Sequence, residues 1–268
     1  MIDLHLHTRY SDGKGLIQDV LREAQQAGLA AISITDHDNV DVYEELKRPE
    51  IRSLFDGRII PGIEVSAMQD GVIVHILGYG IDLDKVPGEI NYITEASRLK
   101  FTADKLTEKL GVKIDGTDEF DPKSPSTFFP IYNQIMKLYP DFKCRNASEL
   151  WWRHLPDPNC FLFIDYHEIY MTAEAAIAAI HRCGGKAVLA HPAKYQEFTD
   201  SIIDALKDKI DGIECYHSSA SPQYTRELID FCKEHGLIVT GGSDLHSHEG
   251  ERPGSQNVPL ELLEQFRE

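Results

Sequence analysis

Over roughly the first eighty residues, short apolar runs alternate with segments whose apolar residues recur at helical spacing. Ile2–Leu6, residues 30–34 and residues 58–65 have the length and composition of strands. Between them, amphipathic spacing predicts a helix over residues 16–27, stopped by Gly28, and a second over residues 40–55. The rhythm returns late in the chain. Helices are predicted at Ala173–Arg182, ahead of Gly184-Gly185, at residues 199–208 and at Pro222–His235, with strands at residues 187–190, Gly212–Tyr216 and residues 237–240. Such alternation is what βα units around a parallel sheet produce.

The middle of the chain breaks this pattern. Residues 90–111 read as one long helix, residues 115–126 are polar and carry prolines, and residues 128–170 are aromatic-rich, with Trp151-Trp152 and Pro156-Asp157-Pro158. The expectation is an α/β body made of residues 1–83 and 171–268, interrupted by a mostly helical inserted subdomain at residues 84–170. No internal repeat or low-complexity tract is present.

Composition narrows the function. With 268 residues, 42% of them hydrophobic, the chain can bury a sizeable core. Its 27 Lys+Arg against 44 Asp+Glu give a net charge of −17, which disfavours an extended nucleic-acid binding surface or adsorption to anionic membranes. The sequence starts without a basic and then apolar leader, and no apolar run approaches the roughly 18 residues of a membrane span, so a cytoplasmic protein is expected. The 5 cysteines are odd in number and form no C-x-x-C pair, arguing against a disulfide framework or a thiolate zinc site. Cys215 reads as a small buried hydrophobe rather than a nucleophile.

The 12 histidines change the picture through their positions. His5 and His7 close the first predicted strand, Asp36-His37 follow the second, and Glu64 ends the third. His191 and His217 follow later strands, and Asp244 and His246 follow the last. The carboxyl ends of strands in parallel α/β folds share one face, and active sites sit there. One strand-end histidine is ordinarily a satisfied core residue; so many strand ends bearing His, Asp or Glu make a metal centre the better explanation. In His5-Leu6-His7 the two imidazoles lie on the same side of an extended strand. His154, His167, His181 and His235 fall in the insertion or on helices and read as structural. Trp151 and Trp152 read as core packing rather than a base-stacking platform.

The run His5-Leu6-His7-Thr8 with Asp12-Gly13, joined to Thr35-Asp36-His37, Gly62-Ile63-Glu64, Ala190-His191-Pro192 and Gly242-Ser243-Asp244-Leu245-His246, resembles the PHP (polymerase and histidinol phosphatase) superfamily, in its small stand-alone phosphatase branch. The resemblance covers residues 1–80 and 172–250. It implies a distorted seven-stranded (β/α)7 barrel holding two or three divalent metal ions, of Mn, Fe or Zn, at the strand ends. By resemblance, His5, His7, Glu64 and Asp244 are ligands of a first ion. Glu64, His75 and His191 serve a second, and Asp12, His37 and His246 a third. The stretch Val72 to Gly80 (VIVHILGYG) supports His75. The implied reaction is hydrolysis of a small phosphorylated metabolite by a hydroxide bridging the metals. His217 and His246 are candidates to protonate the leaving group, and Asp36 to orient a ligand or the nucleophile. Arg9, Lys194, His217 and Arg252 are candidate phosphate contacts, and the inserted segment a cap over substrate.

The expected substrate is a nucleotide, a nucleoside bisphosphate, or a cyclic or sugar phosphate. Histidinol phosphate is the alternative. A 3'-5' exonuclease is less favoured, because no polymerase region is present and the charge is acidic. An amidohydrolase-type enzyme shares the His-x-His strand, but no lysine stands at a strand end where that class carries a carbamylated bridge; Glu64 takes the place. A metal-binding module with a decayed site would lack ligands, and all nine positions are filled.

Overall fold

The computed structural model describes residues 1–115, 128–247 and 252–266. His248 and most of the polar 115–126 stretch lie outside the described residues. The elements, in chain order, are β1 (Ile2–Leu6), α1 (Ile17–Gln26), β2 (Ala31–Ile34), α2 (Val42–Leu46), α3 (Pro49–Arg52), β3 (Arg58–Gln69), β4 (Val72–Tyr79), α4 (Val86–Glu89), α5 (Glu95–Leu110), α6 (Phe129–Leu138), α7 (Ala147–Glu149), β5 (Met171–Thr172), α8 (Ala173–Arg182), β6 (Lys186–Leu189), α9 (Thr199–Leu206), β7 (Gly212–Tyr216), α10 (Pro222–His235) and β8 (Ile238–Gly241). Short 3-10 segments at Pro192–Phe198 and Leu260–Phe266 and a π-helical turn at Leu150–His154 complete the assignment.

The strand order is β1-β2-β3-β4-β6-β7-β8, with β5 beside β3. Neighbours are parallel from β1 to β3 and from β6 to β8, while β4 runs antiparallel to β6. The two ends of this row meet. Leu6 bridges Leu245, the His7 N–H donates to the Leu245 carbonyl at 3.1 Å, and the Asp244 N–H donates to the His5 carbonyl at 2.9 Å. The result is the seven-stranded α/β barrel expected from the motifs, distorted by its one antiparallel member. β4 is where the βα rhythm of a parallel sheet is interrupted. Asp70-Gly71, both at positive φ, make the two-residue turn that a tight hairpin between β3 and β4 requires, so no helix connects them.

The helices form for legible reasons. Ile17, Val20, Leu21 and Ala24 of α1 are buried at helical spacing, and Gly28 at φ 66° ends the turn that follows. The α10 start is capped by the Ser221 hydroxyl, which accepts from the Tyr224 N–H, with Pro222 in the first turn. Two expected helices are corrected. Residues 40–55 split into α2 and α3 because Pro49 has no N–H to donate and drives Arg48 to an extended ψ of 121°. The helix expected from residue 90 starts at Glu95, where Thr94 accepts from the Ser97 N–H at 3.1 Å. The third strand, expected to end at residue 65, continues to Gln69, so Glu64 lies inside it.

The chain divides into two compact units: Met1–Ala67, Val74–Tyr92 and Met171–Glu268 in the first, and Met68–Ile73 with Ile93–Tyr170 in the second. The first contains the barrel, its interior filled by Ile2, Leu4, Ile60, Leu77 and Val188 among others. The second has its own core around Leu99, Leu106, Ile131, Ile135, Leu150 and Tyr166. Trp151 packs there against Phe128 and Tyr166, with ring centroids 4.1 and 4.9 Å away. Among the described residues no helix is long and apolar enough to cross a membrane. All five cysteines are free.

Candidate active site

The end of β1 brings two imidazoles together. His5 Nε2 and His7 Nε2 are 3.1 Å apart. Glu64 Oε2 lies 3.2 Å from the first and 3.1 Å from the second, and Asp244 Oδ1 lies 3.3 and 3.2 Å from them. A tetrahedral ion with bonds of about 2.1 Å holds its donors about 3.4 Å apart, so these four atoms have the spacing of one coordination shell. Glu64 Oε2 is buried and accepts no hydrogen bond, a costly arrangement that a cation would satisfy.

The other oxygen of the same carboxylate serves a second group. Glu64 Oε1 lies 3.0 Å from His75 Nδ1 and 3.0 Å from His191 Nε2, which are 3.3 Å from each other. A third group gathers on Asp12. His246 Nε2 lies 3.2 Å and His37 Nε2 3.7 Å from Asp12 Oδ2, while His7 Nδ1 is 3.7 Å from Oδ1. His37 Nδ1, buried without a hydrogen bond, sits 3.3 Å from Glu64 Oε2. The structure thus brings all nine expected ligand residues together in three groups sharing members. Nitrogen and carboxylate donors of this kind fit borderline and hard divalent ions.

Backbone geometry sets these positions. His191 and Asp244 turn the chain just beyond β6 and β8 at φ 28° and 55°, a left-handed region that is costly outside glycine and common at functional sites. Gly242 passes so close to β1 that an added Cβ would lie 2.4 Å from the His5 backbone N. Asp36 spends its carboxylate on the β1–α1 loop, accepting from the Thr8 N–H and Ser11 hydroxyl at 2.7 Å and the Thr8 hydroxyl at 2.6 Å. Its side chain has no hydrogen bond to a histidine among the described residues; it anchors the loop that carries Asp12.

Charges compensate across the cluster. Burial alone raises the Glu64 carboxyl, but His37, His5 and His75 outweigh it and hold it well below its ordinary value. Burial is likewise overcome at Asp244 by Lys194, His5 and His246, and at Asp12 by His246 and His37, so both stay ionised. Burial depresses His37 and His191, keeping them neutral as ligands must be. For His246, burial is outweighed by Asp12 and Asp244, which lift it to about 10.

Two residues were missed by sequence reasoning. Glu214, fully buried on β7, places Oε1 2.8 Å from His5 Nδ1 and accepts the His191 N–H through Oε2 at 2.8 Å. A glutamate in the middle of an otherwise apolar strand, Gly212-Ile213-Glu214-Cys215-Tyr216, was the available signal. Tyr195, whose hydroxyl accepts the His75 N–H at 3.0 Å, carried none. Of the candidate phosphate contacts, Lys194 and His217 converge on Asp244 Oδ2 at 2.5 and 3.1 Å, and His217 Nδ1 lies 2.7 Å from the Ser219 hydroxyl. Arg9 and Arg252 are exposed, and among the described residues their side chains make no contact with the cluster. Cys215 is fully buried, its thiol 3.7 Å from that of Cys232; the bond to Cys232 and burial both push it up, away from a nucleophile.

The family model described as the PHP domain matches residues 3–248. The chain belongs to the PHP domain family. This makes it an enzyme of the metal-dependent phosphoric ester hydrolase class. Among PHP relatives, it is 28% identical over 264 residues to a phosphoribosyl 1,2-cyclic phosphate 1,2-diphosphodiesterase of Eggerthella lenta, covering 94% of this chain and 96% of that protein. It is 25% identical over 251 residues to a 5'-3' exoribonuclease of Salmonella typhimurium, covering 91% of this chain and 84% of that one. A solved structure from Bifidobacterium adolescentis, described as a candidate metal-dependent phosphoesterase, superposes with a TM-score of 0.70 at 23% identity, covering 98% of this chain and 94% of that one. At that identity the last comparison speaks for the PHP fold alone.

Proposed function

We propose that this PHP protein hydrolyses a small phosphoester, a cyclic phosphate or a nucleoside bisphosphate, using two or three divalent ions of Mn, Fe or Zn. The observation that carries this reading is the division of Glu64, whose Oε2 faces His5 and His7 while Oε1 faces His75 and His191. One carboxylate thereby joins two ligand sets, as a residue shared by two ions would in paired-ion phosphoester hydrolysis. Ions held there supply a deprotonated water at neutral pH and neutralise the phosphoryl oxygens.

The chain's own groups do the rest. Lys194 presents its ammonium beside the cluster as a phosphate contact. His217, whose Nδ1 accepts the Ser219 N–H at 3.0 Å, keeps its Nε2–H beside Asp244 and donates a hydrogen bond to the charge developing on the leaving oxygen. Arg9 and Arg252 are left out of this assignment because they stand exposed. The small substrate accords with the net charge of −17, which opposes a long polynucleotide. The free thiols accord with a cytoplasmic setting.

The test is a product screen with added Mn²⁺ over cyclic phosphates, nucleoside bisphosphates, sugar phosphates, histidinol phosphate, short oligoribonucleotides and simple amides. Turnover concentrated in the first two groups is expected. Stepwise release of mononucleotides as the fastest reaction would make the protein an exonuclease, and turnover of amides alone would remove it from phosphoester chemistry.

A further inference from the structure

The second compact unit holds a group of metal-capable side chains unrelated to the nine residues above. Cys144, Glu149 and His154 each place one ligand atom within 4.8 Å of the others. All three belong to the segment Ile93–Tyr170, where His154 was expected to be structural.

Local structure aims them at one point. Asn146 caps the short helix α7, accepting from the Glu149 N–H at 2.8 Å. Glu149 folds back, and its Oε2 accepts from the Arg145 backbone N–H at 2.6 Å and from Arg145 Nε at 3.1 Å. These bonds fix the carboxylate and leave Oε1 without a hydrogen bond among the described residues. The chain then enters the π-helical turn Leu150–His154, closed by the Leu155 N–H donating to the Leu150 carbonyl at 3.0 Å. Such single π turns shift the side chains that follow, and they are frequent at functional sites. Here the turn delivers His154, whose ring packs edge-on against Phe142 at 4.7 Å. Its Nε2 is buried and has no hydrogen-bond partner. Cys144 is buried as well, its thiol donating to the Asn146 carbonyl at 3.3 Å, a bond that metal binding would replace.

The protonation states suit ligation. Burial lowers His154, so its ring is neutral. The Arg145 hydrogen bond keeps Glu149 ionised. Burial pushes the Cys144 thiol up to about 11, and metal binding to such a thiol releases its proton to solvent as the sulfur–metal bond forms.

We propose that Cys144, Glu149 and His154 form a separate binding site for a borderline divalent cation of the zinc class, which clips the Cys144 turn to the π-helical turn. One sulfur, one imidazole nitrogen and one carboxylate oxygen select zinc-like ions over magnesium or calcium, which prefer all-oxygen sites. Three protein ligands leave one tetrahedral position for water.

Co²⁺ distinguishes this site from the barrel cluster, because only here is a sulfur ligand available. Chelator-stripped full-length protein titrated with Co²⁺ alone is expected to develop a near-ultraviolet thiolate-to-cobalt charge-transfer band, reaching its plateau with one equivalent at this site. The band is expected to fall to background in Cys144→Ser and in His154→Gln, a substitution of similar size that guards against a folding defect, with circular dichroism unchanged in both. It is expected to persist in His5→Asn, which alters only the barrel cluster. Absence of any sulfur band at saturating Co²⁺ would overturn the proposal, as would a band that survives Cys144→Ser or follows Cys160 or Cys215 instead.

Discussion

Glu214 grips two sides of the cluster at once: its Oε1 lies 2.8 Å from His5 Nδ1 and its Oε2 accepts the His191 backbone N–H at 2.8 Å. A single carboxylate on β7 therefore fixes the ring of one ligand residue and the backbone of another. It also fixes which His5 nitrogen carries the proton, leaving Nε2 facing His7, Glu64 and Asp244 and available to an ion.

Glu214→Gln keeps the shape but loses the charge that orients His5. Metal affinity or turnover is expected to fall about 10–100-fold, the usual cost of losing a partner of a ligating histidine. Titration of stripped protein with Mn²⁺, alongside initial rates at saturating metal, checks this.

Because both oxygens of Glu64 are committed to different ligand sets, Glu64→Gln is expected to empty two positions together. His75→Ala, which touches only the Oε1 group, is expected to cost one ion. Elemental analysis of protein purified without chelator gives the two stoichiometries directly. Equal losses in the two variants would contradict the shared role of Glu64.

Lys194 and His217 meet on the same Asp244 oxygen but are assigned different work, so their variants are expected to separate kinetically. Lys194→Met removes a charge-assisted contact worth about 1.5–3 kcal/mol, or roughly 10–100-fold, and raises KM. His217→Gln lowers kcat by about 10²–10³ on an alkyl phosphoester. The loss is expected to shrink on an aryl ester whose leaving group needs no such donor.

Asp12 and Asp244 hold His246 at about 10 against an ordinary 6.5, so the metal-free protein carries an imidazolium there at neutral pH. That pairing stabilises the fold fully below about pH 6.5 and is lost as pH rises through about 10. Chelated protein is thus expected to lose Tm between pH 7 and 10. Mn²⁺ binding displaces the proton, so affinity rises with pH over the same range, and calorimetry in buffers of differing ionisation enthalpy counts the protons released. A Tm of the chelated protein that stays flat across this window would refute the assignment.

Much of the site was legible because ligation demands particular residue types at strand ends, and those types stand out in apolar surroundings. His5, His7, Glu64, His191 and Asp244 are buried polar residues inside the strands or within three residues of their carboxyl ends. What remained hidden depended on tertiary geometry. Glu214 was visible as a residue, yet only the pairing of β7 with its neighbours shows that it faces His5 and His191. Asp36 looked like a catalytic group from its place beside His37, but the loop Thr8–Ser11 claims its oxygens. The break at Pro49 was readable in principle; helical spacing on both sides masked it. The reversal of β4 follows from a two-residue Asp-Gly turn, a local signal whose effect is to replace a whole crossover helix.

The seam where β1 meets β8 has a temporal meaning. His5 and His7 are synthesised more than 230 residues ahead of Asp244 and His246, which belong to two of the three groups of clustered side chains. A product truncated before Asp244 would keep the sequence of β1 to β8 and lack both Asp244 and His246. On the proposed assignment, the closure of β1 against β8 is also the step that completes the site.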